Sequence, residues 1–272
     1  MITYNIFTKN YDDSETIKSN LIAILDHNDF VFQEKNPDIV FVIGGDGTVL
    51  RAYKEFFYCI DKTKFMIIHD GTLGYFADFE KDKLEYMVDL IKNNKLKLIK
   101  RSLVEMKIKS KLGKVSKLTA LNEVRIESLK QTLICDVFLN EDHLETFRGN
   151  GFCISSPSGS TAYNKSLRGA IIQNKLEVFQ LTEIASINHN KYHCLNSSLV
   201  LSKESKITLK PIPYSEFSIG SDTDFFEKKS PWLENEDDDI AEIVCGLSKK
   251  TAKFLLTEGT HFAKRLKRCF II

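Results

Sequence analysis

The chain has 272 residues, 43% of them hydrophobic, with 38 Lys and Arg against 37 Asp and Glu, a formal net charge of +1. That length allows two domains, or one large one, around a substantial buried core. The even charge balance gives no global attraction to nucleic acid or to an acidic membrane surface, and no run is apolar enough over a spanning length to read as a transmembrane helix.

The opening residues, Met1-Ile2-Thr3-Tyr4-Asn5-Ile6-Phe7, read as a first strand without the basic segment and cleavage site of a signal peptide, which favours the cytoplasm. A helix is expected over 13–26, with Ile17, Leu21, Ile22 and Leu25 at helical spacing. The β-branched run 38–43 reads as a strand, followed by the turn Gly44-Gly45-Asp46-Gly47-Thr48 and a helix over 48–58. A strand over 64–69 leads into a second glycine turn at 70–74, and a helix over 81–93 carries Leu84, Met87, Val88, Leu90 and Ile91. Such alternation implies a parallel sheet with helices on both faces. Ligands of these sheets bind beyond the carboxyl ends of the strands, where both glycine turns lie.

Beyond residue 100 the pattern changes to short strands, expected over 103–109, 117–126, 132–139, 145–147, 199–201, 206–209, 217–219, 241–245 and 251–256. These suggest two packed sheets. One helix is expected over 160–172 and a shorter helical piece over 178–185. The acidic run at 234–239 reads as a solvated hairpin loop, and the basic tail ending in Cys269-Phe270-Ile271-Ile272 as a segment that packs back on the first domain. The expected class is α/β plus β: a Rossmann-like α/β domain over 1–99, joined by the tail from about 257, and a β-sandwich-like domain over 100–256. The six cysteines are scattered with no C-x-x-C pair and read as reduced core thiols. His189 and His193 lack a completing ligand set, so no metal site is expected from them.

Three segments carry chemistry. At Gly44–Thr48 a strand ends, glycines let a ligand approach the backbone, and the following helix aims its N–H groups at one point. A phosphate cradle does not need Asp46, so the acid suggests a base or metal-positioning group for phosphoryl transfer. As a turn with a helix cap, the same tetrapeptide has a purely structural reading. It is neither a Walker A loop, lacking Gly-Lys-Ser/Thr, nor a GGDEF pattern. The second segment, 148–166, runs from a strand through a Ser/Pro/Gly turn into a helix, and its hydroxyls, free backbone donors and Tyr163 suit a nucleoside as well as a capped helix. The third is Asn122-Glu123, two adjacent polar residues inside an apolar strand-like run, costly to bury without partners.

In this order and spacing, the motifs Gly44-Gly45-Asp46-Gly47, Leu73-Gly74-Tyr75-Phe76-Ala77, Leu121-Asn122-Glu123, Arg148-Gly149-Asn150-Gly151, 156–166 and 183–188 resemble the NAD kinase family, in its bacterial ATP- or polyphosphate-dependent form. The resemblance implies phosphorylation of the 2′-hydroxyl of the adenosine ribose of NAD, giving NADP, with Mg²⁺ or another divalent ion accompanying ATP. It implies an active site drawing on an α/β and a β-rich domain, and a homo-oligomer, a dimer or tetramer. Asp46 would be the catalytic base, and Gly45 and Gly47 would let the phosphates come close. Asn122 and Glu123 would hold the adenosine, and Ser158, Thr161, Ala162, Tyr163 and Ser166 would line its pockets. Phe76 would pack on the base, and Ala185 would line the far end of the dinucleotide. Arg148, Asn150, Asn164, Lys165 and Thr223 complete the expected binding set.

The sequence departs from the family pattern at Asn150, where aspartate is usual, at Thr223, where histidine is frequent, and over 189–196, where a basic glycine-containing segment is usual. Weaker NAD binding with unchanged chemistry is the expectation, so restoring aspartate at 150 is expected to lower the apparent KM for NAD. Two alternatives stand beside this reading: a lipid- or sugar-type kinase sharing the glycine–aspartate turn, and a non-catalytic NAD(P)-binding sensor. Neither a nucleic-acid nor a membrane partner is expected.

Overall fold

The computed structural model describes all residues except 10–11, 72–73, 192, 213–215, 228–237, 259–261 and 272. In chain order the first elements are β1 (Thr3–Thr8), α1 (Asp12–His27), β2 (Val31–Phe32), β3 (Ile39–Ile43), α2 (Asp46–Glu55), β4 (Lys64–His69), β5 (Phe79–Glu80), α3 (Leu84–Lys92) and β6 (Lys97–Ser110). There follow β7 (Val115–Ala120), β8 (Glu123–Glu127), β9 (Leu133–Leu139), β10 (Asp142–Gly149), β11 (Gly151–Ser155), α4 (Tyr163–Ser166), β12 (Val178–Ile184) and β13 (Leu199–Ser202). The last are β14 (Ile207–Pro211), β15 (Ser218–Ser221), β16 (Asp224–Glu227), β17 (Ile240–Leu256) and α5 (Phe262–Phe270). The chain divides into two units, Met1–Arg101 with Lys250–Ile272, and Ser102–Lys249.

The first unit is a parallel sheet in the order β17-β4-β3-β1-β2. Its central strand β3 is an unbroken apolar run because both of its faces are covered. Ile39, Phe41 and Ile43 share a cluster with Leu21 and Leu25 of α1 and Met87 and Val88 of α3. Val40 and Val42 alternate to the opposite face, and α2 packs against β3 and β1, burying Val49, Ala52 and Tyr53 at helical spacing. The helix after the first glycine turn begins at Asp46 rather than at 48 and ends at Glu55. The tail forms α5, whose Arg265 and Arg268 bond the backbone of Gly74, Tyr75 and Ala77 in this same unit.

The second unit holds two sheets that share one core. Val104, Met106, Val137, Phe147, Leu209 and Ile243 from one sheet meet Val124, Ile126, Phe152, Phe179, Leu181 and Ile219 from the other. Two antiparallel sheets facing across a common apolar layer make a sandwich. The fold is thus a Rossmann-like α/β unit and a β-sandwich-like unit.

Several expected elements differ. The piece over 178–185 is not helical: β12 lies between β11 and β13. A short apolar run cannot be told from a helix by period alone, and here β-branched and aromatic residues fill a strand with sheet neighbours on both sides. The helix expected over 160–172 shrinks to a 3₁₀ turn at Gly159–Thr161 and the single turn α4. Arg168, at φ 62°, ends it. The run 117–126 breaks at Leu121-Asn122 into β7 and β8, whereas 241–245 and 251–256 merge into the 17-residue β17. From Lys250 onward β17 belongs to the first unit. Of the acidic run, 234–237 lies outside the described residues. Asp238 accepts from Leu112 N at 3.1 Å and Asp239 pairs with Lys111 at 3.5 Å. Thr72 and Leu73 of the second glycine turn, and Ile272 of the tail, also lie outside them.

Candidate active site

In the first unit the chain leaves β3 through Gly44, whose φ of 143° excludes most side chains and whose N–H donates to Ile68 O at 2.9 Å. A Cβ there would lie 2.5 Å from Thr48 Oγ1. Gly45 and Gly47 are different. Neither has a positive φ, and a Cβ on either would meet nothing within 4 Å among the described residues. The described residues leave open space beside both positions, room in which a ligand could approach the backbone.

Asp46 is the first helical residue of α2, where the helix dipole favours a carboxylate. Its Oδ2 accepts from Tyr75 N at 2.9 Å and its Oδ1 from Phe76 N at 3.0 Å. Gly74 packs so closely that a Cβ would lie 2.3 Å from Asp46 Oδ1. The carboxylate is thus seated by backbone from the second glycine turn, with one lone pair of each oxygen still to offer. The Phe76 ring is buried, stacked on Phe254 at 5.9 Å with the Arg101 guanidinium 5.1 Å above it. Within this unit the ring packs on Phe254, and the Phe76 amide reaches Asp46. Burial lowers the pKa of Arg101 to about 10, with Arg265 adding to the effect.

In the second unit Leu121-Asn122-Glu123 bends into β8. The Asp222 carboxylate accepts from all three backbone N–H groups, at 2.8, 2.8 and 3.3 Å. Asp222 sits at φ 50° in the turn after β15, a conformation that aspartate tolerates better than most residues. Ser156 N donates to Asn122 O at 2.8 Å, Ser156 Oγ to Leu121 O at 2.6 Å, and Gly159 lies so close that a Cβ would be 2.0 Å from Asn122 O. The backbone is fixed on every side, yet Asn122 Oδ1 and Glu123 Oε2 are buried with no hydrogen-bond partner among the described residues. Such orphans are costly unless a polar ligand satisfies them. Burial, then the charge of Asp222, raises the pKa of Glu123 to about 8, opposed by Arg125. Burial raises Asp222 to about 6 against the three amides that favour its ionised form.

Beside them, Tyr163 OH donates to Glu127 Oε1 at 2.8 Å, and its ring lies 5.0 Å beneath the Arg125 guanidinium. Burial and then that hydrogen bond push the phenol up to about 12. Ser158 Oγ meets Asn174 Oδ1 at 3.3 Å, and Thr161 Oγ1 donates to Ser158 O at 3.0 Å. Ala162 is half-buried at the break between the 3₁₀ turn and α4, and Lys165 and Ser166 are exposed. Asn164 faces the interior: Thr182 Oγ1 donates to its Oδ1 at 2.7 Å, and Gly169 closes on its amide. Thr223 is exposed next to Asp222.

Arg148, Asn150 and Ala185 gather at the opposite end of β11, roughly 16 Å away at about 3.3 Å per residue. Ala185 is exposed at φ 47°. The carbonyl of Arg148 accepts from Ile187 N at 2.7 Å, and its N–H reaches Cys194 Sγ at 3.4 Å. Asn150 Nδ2 donates to Ser128 O at 2.9 Å, a bond that an aspartate cannot make.

Comparison with known proteins decides the family. The family described as ATP-NAD kinase C-terminal domain matches residues 121–226. A protein named NAD kinase from Streptococcus pyogenes serotype M1 is 37% identical over 260 residues, 95% of this chain and 90% of that one. One from Streptococcus agalactiae serotype V is 34% identical over the same shares. The chain belongs to the NAD kinase family. It is accordingly a phosphotransferase that makes NADP from NAD, which removes the lipid- and sugar-kinase alternative. Among solved structures, yeast NADH kinase complexed with NADH superposes with a TM-score of 0.81 at 17% identity, over 98% of this chain and 86% of that one. An NAD kinase from Archaeoglobus fulgidus in complex with ATP gives 0.69 at 18%, over 99% and 97%. At such identities the likeness establishes the shared fold.

Sequence reasoning missed three features of the two units: in the first, the amides of Tyr75 and Phe76 on Asp46 and the buried Arg101, and in the second, the clasp of Asp222. Backbone donors leave no mark in a sequence. Asp222, an acid in the turn beside Thr223, carried a signal only in its type. No helix among the described residues is long and apolar enough to cross a membrane.

Proposed function

We propose that Asp46 takes the proton of the adenosine ribose 2′-hydroxyl as that oxygen attacks the γ-phosphorus of ATP. The O–H bond breaks toward Asp46 Oδ, the new O–P bond forms, the bond from Pγ to its bridging oxygen breaks, and ADP leaves. The observation that carries this reading is the seated carboxylate: it is fixed by two amides at a helix N-terminus, beside two glycines whose missing side chains leave open space. Positioning of this kind, with phosphate next to helix N–H groups, supplies most of the catalysis in phosphoryl transfer.

The orphaned Asn122 Oδ1 and Glu123 Oε2 fit the hydroxyls and base edge of the adenosine. Tyr163, Ser158, Thr161, Ala162 and Ser166 flank that moiety in this reading, and Arg148, Asn150 and Ala185 the nicotinamide half. Among the described residues no group of three His, Cys, Asp or Glu side chains could hold a metal. Mg²⁺ therefore fits as an ion carried by the nucleotide phosphates, with Asp46 the carboxylate placed to share it, and it would neutralise charge on the transferring phosphoryl group. The family resemblance supports a dimer or tetramer, which light scattering would test. Six free cysteines support the cytoplasm.

The deciding experiment is NADP formation from NAD, ATP and Mg²⁺, with polyphosphate as a second donor, by the wild type and Asp46→Asn. Turnover should fall by orders of magnitude in the variant, while NAD affinity measured by calorimetry stays near that of the wild type. An Asp46→Asn protein of undiminished turnover would remove Asp46 from the chemistry.

A further inference from the structure

The backbone that seats Asp46 is itself gripped from its other side. Arg265 of α5 is 4% exposed, and its Nη1 donates to the carbonyl oxygen of Tyr75. Its Nη2 meets Asp78 Oδ1 at 3.2 Å, with Asp78 equally buried. The other Asp78 oxygen accepts from Thr257 N at 2.7 Å and Thr257 Oγ1 at 2.9 Å. Arg268 Nη2 donates to Gly74 O at 3.3 Å and Ala77 O at 3.1 Å. Four consecutive residues, 74–77, thus present N–H groups to a carboxylate and carbonyls to two guanidinium groups.

One peptide joins the two sides. Tyr75 C=O and Phe76 N–H belong to the same planar unit. A cation on the oxygen and an anion on the N–H polarise that unit in the same sense, and hydrogen bonds in series strengthen one another. We propose that Arg265 is a positioning residue for Asp46, fixing and polarising the Tyr75–Phe76 peptide from α5, with Arg268 as a weaker second grip. The C-terminal helix thereby belongs to the catalytic apparatus and is not merely a packed end. A guanidinium fork can hold Tyr75 O and Asp78 together, whereas a lysine offers one point charge to either. The inference rests on the reading of Asp46 as the base.

The test uses the full chain with Arg265→Lys, Arg265→Gln and Arg268→Gln, beside the wild type and Asp46→Asn. The readouts are kcat and KM for NAD at saturating ATP, NAD affinity by calorimetry and thermal melting. Misplacing a reacting group by about 1 Å costs up to about 100-fold, so kcat should fall by roughly that factor in Arg265→Gln and by about tenfold in Arg265→Lys. KM and NAD affinity should stay within about twofold, since the adenosine-binding groups are not touched. Partial recovery by lysine is the mark of a charge that positions. A folded Arg265 variant with wild-type kcat, or a kcat loss equal to the loss of folded protein, overturns the proposal. If both Arg265 variants fail to fold, Arg268→Gln decides: kcat should drop by about threefold at unchanged KM, and a wild-type kcat overturns the proposal. Wild-type turnover in the arginine variants with Asp46→Asn inactive sinks the proposal alone. Full turnover in Asp46→Asn sinks the base reading and the proposal with it.

Discussion

Asp46 in the first unit and Glu123 in the second are both carboxylates at the first position of a regular element, α2 and β8, and the fold treats them in opposite ways. Asp46 starts a helix and receives one amide on each oxygen. Glu123 lies buried in a sheet with one oxygen orphaned, and burial with Asp222 raises its pKa to about 8. The first arrangement fixes a carboxylate with two backbone amides, as the proposed base requires. The second disfavours the ionised form through burial and the neighbouring Asp222. Environment, and not residue type, separates the two carboxylates.

The sharpest way to break this contrast is Gly74→Ala. Its Cβ would lie 2.3 Å from Asp46 Oδ1, so the carboxylate must leave its amides, and kcat should fall roughly 100-fold. Steady-state rates beside a melting curve check this, and a near-normal kcat would show that the amide seat is dispensable. Next come Gly45→Ala and Gly47→Ala. Both positions accept a side chain in the free protein, so melting temperature should hold or rise, by the equivalent of up to about 1 kcal/mol. The KM for ATP should nevertheless climb about tenfold or more, because a methyl group stands where phosphate approaches. Gly44→Ala is the control: strain at φ 143° should lower stability by about 1–3 kcal/mol.

Asp222→Asn sharpens the second half of the comparison. It weakens the hold on the amides of residues 121–123, and the KM for NAD should rise about tenfold with kcat preserved, a loss of about 1–2 kcal/mol in binding. The pH dependence of stability tests Glu123 itself. Its folded value is raised from 4.5 to about 8, so the native state holds the proton longer than the unfolded chain does. The stabilisation is complete below about 4.5 and is lost as pH rises toward 8. Asp222 (about 6) and Glu145 (about 7) act in the same direction at lower pH. The fall in melting temperature between pH 7 and 8 therefore comes mainly from Glu123, with a smaller part from Glu145 near pH 7, and Glu123→Gln should reduce it. The smallest effect is Asn150→Asp. A carboxylate cannot donate to Ser128 O, so stability should drop by about 0.5–1 kcal/mol, even if the KM for NAD falls as the family resemblance implies.

The parallel sheet of the first unit was legible because β3 and β4 are continuous apolar runs and α3 keeps a helical period over its length. In the second unit 178–184 was misread, since seven residues do not distinguish the two periods and only β11 and β13 on either side make them a strand. The site divides in the same way. Local chemistry alone marked the Gly44–Thr48 turn, Asn122-Glu123 and the Ser156–Ser166 segment, because glycines, adjacent polar residues in an apolar run and clustered hydroxyls are features of type and spacing.

What the sequence determined by itself is therefore the kind of chemistry, an acid among phosphate donors and a polar nucleoside pocket, together with the two classes of architecture. What only the tertiary structure decided is which groups complete it. Tyr75 and Phe76 hold Asp46 across 29 and 30 residues, Asp222 holds Leu121 and Asn122 across 101 and 100, and Arg265 grips Tyr75 across 190. Backbone N–H and C=O groups are the same at every position of a sequence, so their use in a site appears only once the chain has folded and brought them within 3 Å or so of a charge.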